Sequence, residues 1–219
     1  MATRSRTRTM FQAKFQSFEE AASSSKGAER LRRLRAELER RGLDGFVVAH
    51  ADPHQNEYLP ACEERLAWLT GFTGSAGVAI VLRDKAALFV DGRYTLQAKK
   101  QVDSKAFRIE HLDRPPGRWL VDNLKEGSTL GYDPWRTTIA GAKRLGKAAK
   151  RAKARLVAVD DNPVDAIWTN RLAPPLARVV LHPLKFAGEP AEKKLARVRT
   201  ELKKQKLDAA LLSDPTAVA

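Results

Sequence analysis

Short apolar runs alternate with amphipathic segments along most of the chain. Apolar runs rich in β-branched and aromatic residues predict strands, and apolar residues at three- and four-residue steps predict helices. The predicted strands cover residues 45–49, 78–82, 86–91, 107–111, 129–132 and 155–159. The predicted helices cover 28–41, a stretch opened by Pro60 that runs through Leu69, 94–102, 116–124, 138–153, and a short helix from Pro163 that Asn162 caps.

The connections between these elements predict the fold class. Only residues 83–85 separate the second strand from the third, which indicates a hairpin, whereas the later strands are joined through helices. A hairpin and helical crossovers in one sheet give both antiparallel and parallel pairs. The pattern therefore predicts an α/β domain with a mixed β-sheet flanked by helices.

One helical pattern occurs twice. Residues 31–44, LRRLRAELERRGLD, recur at 195–208 as LARVRTELKKQKLD, with seven of fourteen positions identical. In each copy the amphipathic segment leads to Leu-Asp and then to an apolar run, so a helix over 191–206 and a strand over 209–212 are expected. A chance match between two helices rich in Arg and Leu is the alternative, but the shared apolar run favours duplication.

The 164-residue offset between the copies is close to the usual size of a domain. We therefore expect a domain at 27–172, a proline-rich linker at 173–190, and the truncated start of a second similar domain at 191–219. Residues 1–26 are expected to form a basic, disordered leader. A targeting peptide, or a start codon assigned upstream of Met10, remains an alternative for the first nine residues.

Composition indicates a soluble protein. Hydrophobic residues make up 43% of the chain, and no apolar run approaches the roughly 20 residues that span a bilayer. The single cysteine, Cys62, excludes an internal disulfide, and no secretory leader opens the chain. A cytoplasmic location is expected.

The net charge of +14 is concentrated in three stretches, namely residues 1–9, 143–155 and 192–206. In the middle stretch the apolar residues recur on one helical face, which leaves the lysines and arginines as a solvated opposite face. No aromatic residue interleaves with these basic residues, and no known nucleic-acid-binding motif is present. Nucleic-acid binding is therefore disfavoured.

The residues alone indicate no catalytic group and no metal site. Gly71, Gly74 and Gly77 lead into a strand instead of joining a strand to a helix, so a tight turn with close backbone contacts is expected instead of a nucleotide-binding loop. His50 and His54 have the i, i+4 spacing of a zinc-binding helix, but the proline at 53 excludes that helix.

Arg93 is distinguished by its position. The segment Asp91-Gly92-Arg93-Tyr94 follows an apolar strand, so this arginine lies where a strand ends and a helix begins. Its guanidinium group could pair with a carboxylate or a peptide carbonyl of a ligand. A structural salt bridge is the alternative, and the residues alone favour it.

Five motifs in order resemble the amino-terminal domain of the creatinase/prolidase family, as found in its Xaa-Pro aminopeptidase P members. They are HQNEY (54–58), RLAWLTGFTGSAGVAIV (65–81), ALFVDGRYTLQAKKQVD (87–103), GYDPW (131–135) and DNPVDAIWTNRLAPP (161–175). The resemblance implies two similar amino-terminal domains before a catalytic domain with a dinuclear metal centre, usually manganese. That missing domain would cleave the residue preceding proline from peptides with proline at the second position.

The resemblance assigns few roles within this chain. Arg93 matches an arginine that contributes to peptide binding, so it becomes the substrate-binding candidate, whereas no catalytic residue, metal ligand or cofactor is implied here. One motif has no assigned role and is expected to build its loop; its residues are His54, Gln55, Glu57 and Tyr58. Four aromatic residues are expected in the core or in domain packing: Trp68, Phe72, Trp135 and Trp168.

Three functional hypotheses follow. The first is an amino-terminal part of an Xaa-Pro aminopeptidase that is inactive alone and contributes to substrate selection and assembly. The second is a free-standing module that binds peptides, forms a homodimer or associates with a full-length paralogue. The third, disfavoured by the absence of motifs, is a basic nucleic-acid-binding protein.

Overall fold

A six-stranded mixed sheet forms the centre of the computed structural model, which describes residues 26–214. The strand order is β4-β3-β2-β1-β5-β6. The strands are β1 (Gly45–Ala49), β2 (Gly77–Leu82), β3 (Ala86–Val90), β4 (Arg108–His111), β5 (Thr129–Tyr132) and β6 (Arg155–Ala158). β2 runs antiparallel to both of its neighbours, and the other neighbouring pairs are parallel. The predicted hairpin and mixed sheet are confirmed.

Helices cover both faces of this sheet. The α-helices of the described residues are α1 (Gly27–Arg40), α2 (Arg65–Thr70), α3 (Thr95–Gln101), α4 (Pro116–Asn123), α5 (Ile139–Arg151), α6 (Pro163–Ile167), α7 (Leu184–Ala187) and α8 (Ala191–Lys204). α1, α2, α3 and α6 contribute buried side chains to the core on one face, whereas α4 and α5 cover the other. Helices therefore pack against both faces of the sheet, as the predicted flanking helices imply.

The alternation along β1 shows how the two cores are divided. Phe46 and Val48 pack with the leucines of α1, whereas Val47 between them packs with α4 and α5. Neighbouring side chains of a strand point to opposite faces, so a run of apolar residues serves both cores at once. Leu34 of α1 is completely buried, which fits the apolar stripe of that helix.

The strand directions bring several loops to one edge of the sheet. Because β2 is antiparallel to β1 and β3, the five other strands all point the same way. The loops that follow β1, β3 and β5 therefore meet the loop that precedes β2. In open α/β sheets this carboxyl-terminal edge is the usual place for ligand contacts.

A cluster of ion pairs braces this part of the domain. Arg65 of α2 is only 2% exposed and donates to both carboxylate oxygens of Asp165 in α6, at 2.7 and 2.8 Å. It also pairs with Glu63, which accepts from Arg136 after β5 and from Arg171 after α6. We call these five residues the Glu63 cluster: Glu63, Arg65, Arg136, Asp165 and Arg171. Burial alone would raise the pKa of Glu63, but the hydrogen bonds from Arg136 and Arg65 lower it below its ordinary value.

Three predicted elements differ from the structure. The helix expected from Pro60 to Leu69 is interrupted, with a 3-10 turn at Ala61–Glu63 before α2. The Cys62 carbonyl accepts from the side chain of Arg171 at 2.7 Å instead of from a helical N–H group.

The strand expected at 209–212 is absent, because a strand needs a partner for its backbone groups and no described strand pairs with that segment. Within the predicted linker, 173–190, α7 forms an unpredicted turn of helix. Residues 1–25 of the predicted leader and 215–219 of the second unit lie outside the described residues.

Candidate functional site

Arg93 lies in the loop after β3, at the carboxyl-terminal edge of the sheet. Asp91 precedes a short 3-10 turn and its carboxylate accepts from the Arg93 backbone N–H at 2.9 Å. The same carboxylate pairs with the guanidinium group, with 2.7 Å between Nη2 and Oδ2, and this hydrogen bond raises the pKa of Arg93. The arginine side chain is nevertheless 62% exposed. Arg93 therefore forms the predicted salt bridge while facing solvent.

A polar cleft of about 450 Å³ adjoins Arg93. Its walls come from the loop after β1, the loop before β2 and the loop after β3. Its lining includes Glu57, Tyr58 and Ser75 beside Tyr94 and Arg93. The structure thus brings together two motifs that lie far apart in the sequence, HQNEY and DGRY.

One serine connects the three loops. The Ser75 hydroxyl donates to Glu57 Oε1 at 3.0 Å and lies 2.8 Å from the Tyr94 hydroxyl. The Tyr94 ring stands edge-on to Phe72, with 5.5 Å between ring centroids, and the Arg93 guanidinium lies 5.1 Å from the Tyr94 ring centroid. The loop that carries Arg93 is therefore held in place by aromatic packing and by hydrogen bonds to the neighbouring loops.

The glycine segment leads into β2, but its close contacts differ from the prediction. A Cβ atom at Gly74 would lie 2.8 Å from Tyr94 Cδ1 and closer still to the Phe72 ring. The space is therefore taken by aromatic side chains and not by a second backbone. Gly71 ends α2 with φ of +83°, which is a separate reason for glycine at that position.

Histidines and carboxylates near the cleft form structural contacts. His50 Nε2 lies 2.9 Å from the Glu57 carbonyl oxygen, and His50 Nδ1 lies 3.7 Å from Glu64. Burial raises the pKa of Glu64. His54 lies apart from this contact, since its backbone N–H donates to Asp52. Within residues 26–214 no three His, Cys, Asp or Glu side chains are arranged to hold a metal ion.

Asp52 organises the HQNEY loop, a role that was not predicted from the sequence. Its side chain is 3% exposed and accepts from the backbone N–H groups of His54 and Asn56 at 2.9 and 3.0 Å. Gln55 takes a positive φ of 58° at the tip of the turn. The Asp-Pro pair at 52 and 53 is a turn signal that could have identified this role. His54 and Gln55 both donate hydrogen bonds to Asp52 in this loop, and the role of the motif stays a prediction.

Three of the four predicted core aromatics are packed inside. Phe72 and Trp168 are 1% and 9% exposed, and Trp68 stacks on Trp168 with 5.4 Å between ring centroids. Trp135 is 64% exposed, so it does not belong to the core of the described residues, and its alternative role in domain packing stays a prediction. It follows β5 in a loop whose Asp133 and Arg136 are anchored inward while its own ring points away. Among residues 26–214, no helix combines the length and apolar character needed to cross a bilayer.

The fold and the loop cluster together define a mixed α/β domain with an exposed polar contact edge. Residues 30–167 match the Creatinase/Prolidase N-terminal domain family, and residues 170–219 match a second model with the same description. The chain therefore belongs to the creatinase/prolidase N-terminal domain family. Two successive matches also support the duplication inferred from the repeated helix. The predicted boundaries at 172 and 190 stay predictions.

Relatives and solved structures agree with this family. The probable Xaa-Pro aminopeptidase P of Coccidioides posadasii is 37% identical over 208 residues, covering 93% of this chain and 32% of that protein. The crystal structure of X-prolyl aminopeptidase from Caenorhabditis elegans is 32% identical, with a TM-score of 0.74 over 87% of this chain and 33% of that one. It is described as a cytosolic enzyme with a di-nuclear active site.

A smaller neighbour is similar to only part of this chain. The N-terminal domain of the cytoplasmic peptidase PepQ from Mycobacterium tuberculosis is 26% identical, with a TM-score of 0.50 over 64% of this chain and 98% of that one. By contrast, the chain spans about a third of the length of the curated relative and of the worm enzyme.

Proposed function

We propose that this chain is the non-catalytic amino-terminal part of a metal-dependent Xaa-Pro aminopeptidase, contributing to substrate selection and assembly. The observation that carries the proposal is the similarity to the C. elegans X-prolyl aminopeptidase across 87% of this chain and only 33% of that enzyme. Removal of an N-terminal residue before proline would then require the remaining part of the enzyme. Its substrates would be peptides with proline at the second position.

The metal chemistry belongs elsewhere in this proposal. The described residues offer no cluster of three metal-binding side chains, so they do not fit a dinuclear centre. The dinuclear manganese expected from the family resemblance would lie in the catalytic domain. The cytosolic description of the worm enzyme supports a cytosolic location for this protein as well.

Within the proposal, Arg93 contacts the peptide substrate. Asp91 occupies the Nε and Nη2 groups of the guanidinium, while Nη1 makes no hydrogen bond to another described residue. A guanidinium carries five N–H donors, so donors remain for a peptide carbonyl or carboxylate. The exposed position at the loop edge places these donors toward solvent, where a ligand or another domain can approach.

Arg83 provides a matched control. It is 58% exposed and pairs with Asp44, much as Arg93 is 62% exposed and pairs with Asp91. Arg83 follows β2, so it lies at the opposite edge of the sheet from the cleft. Alanine at either position therefore removes one exposed, ion-paired arginine, but only one of them borders the cleft.

Peptide titration followed by heteronuclear NMR tests the proposal. We expect a short peptide with proline in second position to shift the backbone resonances of Glu57, Ser75 and Tyr94 in the wild type. Arg93→Ala should weaken these shifts and Arg83→Ala should preserve them. Equal responses in Arg93→Ala and wild type would remove Arg93 from the substrate contact. Equal responses to the same peptide with alanine in place of proline would remove the proline preference from this domain.

A further inference from the structure

A large groove opens on the sheet face covered by α4 and α5, and of its lining residues only His50 also borders the Arg93 cleft. Its volume is about 840 Å³, and its lining is predominantly apolar. Val47 and Val78 of the sheet contribute to the floor, with Val121 of α4 and Leu145 of α5 beside them. Two helices do not cover six strands completely, so apolar surface remains open between them.

Unpaired positive charges line one wall of this groove. Arg144, Lys147 and Arg151 border it at i, i+3 and i+7 along α5, and all three are exposed. None of them forms an ion pair or a side-chain hydrogen bond within residues 26–214. The row extends along α5 for about 10 Å, given a rise of about 1.5 Å per residue.

Other cations around the groove are already neutralised. Arg136 pairs with Glu63 and Asp133, and Arg118 of α4 pairs with Asp122. The free charge is therefore confined to the α5 wall. Three of the seven basic side chains in the stretch 143–155 therefore lie beside exposed apolar surface and not on a purely solvated helix face.

We propose that this groove binds an acidic amphipathic helix of a partner protein or domain. An apolar stripe on such a helix would cover the floor, and acidic side chains at three- and four-residue spacing would pair with the α5 row. A single small carboxylate would satisfy only one of the three cations. A nucleic-acid backbone would leave the apolar floor uncovered, and no Phe, Tyr or Trp side chain lines the groove for base stacking.

The same helix supplies a matched control. Lys143 and Lys150 have the same seven-residue separation as Arg144 and Arg151, but they do not line the groove. The variants Arg144→Glu/Arg151→Glu and Lys143→Glu/Lys150→Glu therefore change the net charge equally and place glutamate in the same turns of α5. Circular dichroism and thermal melting establish that both variants keep the wild-type fold.

Fluorescence anisotropy with labelled synthetic peptides of about fifteen residues, long enough to form a helix, tests the proposal. The probe carries leucines on one helical face with flanking glutamates. One comparison peptide replaces the leucines by serine, and another replaces the glutamates by lysine. At about 0.15 M salt, where the screening length is about 8 Å, charges remote from the groove contribute little.

We expect the wild type to bind the probe about tenfold or more tightly than either comparison peptide. Arg144→Glu/Arg151→Glu should weaken binding about tenfold or more, and the Lys143/Lys150 variant by less than about threefold. Absence of binding, equal binding of the serine peptide, or equal effects of the two variants would overturn the proposal. Displacement of the probe by duplex DNA with the same dependence on Arg144 and Arg151 would assign the groove to nucleic acid instead.

Discussion

Replacement of Arg65 by methionine tests whether the Glu63 cluster stabilises the domain. Arg65 is 2% exposed and makes two hydrogen bonds to Asp165 and one ion pair to Glu63. Methionine has a flexible side chain of similar volume but lacks the charge and all five donors. The perturbation is therefore the loss of one cation from a buried network.

The expected cost follows from the remaining partners. Removal of one member of a buried ion pair typically costs about 3–5 kcal/mol, because the other charge stays buried without compensation. Here Asp165 keeps Arg171, and Glu63 keeps both Arg136 and Arg171. We therefore expect a loss near the lower limit, about 3 kcal/mol, which is a large share of the roughly 5–15 kcal/mol that stabilises a typical domain.

Urea unfolding followed by tryptophan fluorescence measures this loss. Trp68 and Trp168 stack beside α2 and α6, the helices that Arg65 and Asp165 join. With a slope of about 1–3 kcal/mol per molar urea, the midpoint should fall by about 1–3 M. The control Arg83→Met removes one exposed arginine paired with Asp44 and should cost less than about 1 kcal/mol.

A small effect would refute the reasoning. If Arg65→Met unfolds within about 1 kcal/mol of the wild type, the desolvation of the buried arginine offsets its ion pairs, and the cluster contributes geometry instead of stability. If Arg65→Met leaves the free energy of unfolding unchanged while Arg83→Met lowers it, burial does not determine how much these ion pairs contribute to stability.

Four further outcomes are expected. A hydrogen bond from Arg40 lowers the pKa of Glu37 from 4.5 to about 2, so the stability that this carboxylate contributes is present above its unfolded pKa and is lost as pH falls toward 2. The free energy of unfolding of Glu37→Gln, measured with urea, should therefore depend less on pH across that window than that of the wild type. The same pH dependence in both proteins would contradict this. Gly74→Ala should destabilise the domain by about 1–3 kcal/mol through overpacking. Gly146 lies in α5, where an added Cβ would have its nearest neighbour at 3.8 Å, so Gly146→Ala should stabilise the domain by up to about 1 kcal/mol. The opposite order of melting temperatures would contradict both predictions. Purified chain with added manganese should not hydrolyse an Xaa-Pro peptide, and turnover abolished by a chelator would show otherwise. Because Leu195 is 46% exposed on α8, we expect analytical ultracentrifugation to show concentration-dependent self-association, and Leu195→Lys should weaken it. Monomers of both proteins at all concentrations would contradict this.

Local patterns predicted most of the secondary structure of the first domain. The hairpin of β2 and β3 followed from two apolar runs separated by three residues, and the cap of α6 followed from Asn162, whose side chain accepts from the Val164 N–H. The interruption before α2 could not be predicted in this way. At this point the side chain of Arg171, which is 109 positions away, donates to the Cys62 carbonyl oxygen, and no local pattern indicates that contact.

The candidate site was likewise predictable only where it depends on local sequence. The position of Arg93 at a strand end was readable from the sequence, but its neighbours Glu57 and Ser75 come from two other loops. The burial of Asp52 and the exposure of Trp135 were not predicted, since both depend on how loops settle at the sheet edge. The strand at 209–212 was predicted from its apolar composition, yet no described strand pairs with it.

The sequence by itself determined the mixed α/β class, the repeated helix and the family resemblance, because these depend on periodicity and on motifs carried within short stretches of chain. Only the tertiary structure decided which charges are buried in the Glu63 cluster and which remain free along α5. Ion pairing depends on residues brought together from distant positions. An arginine can therefore form buried ion pairs or remain exposed to solvent, depending on the neighbours that the fold places around it.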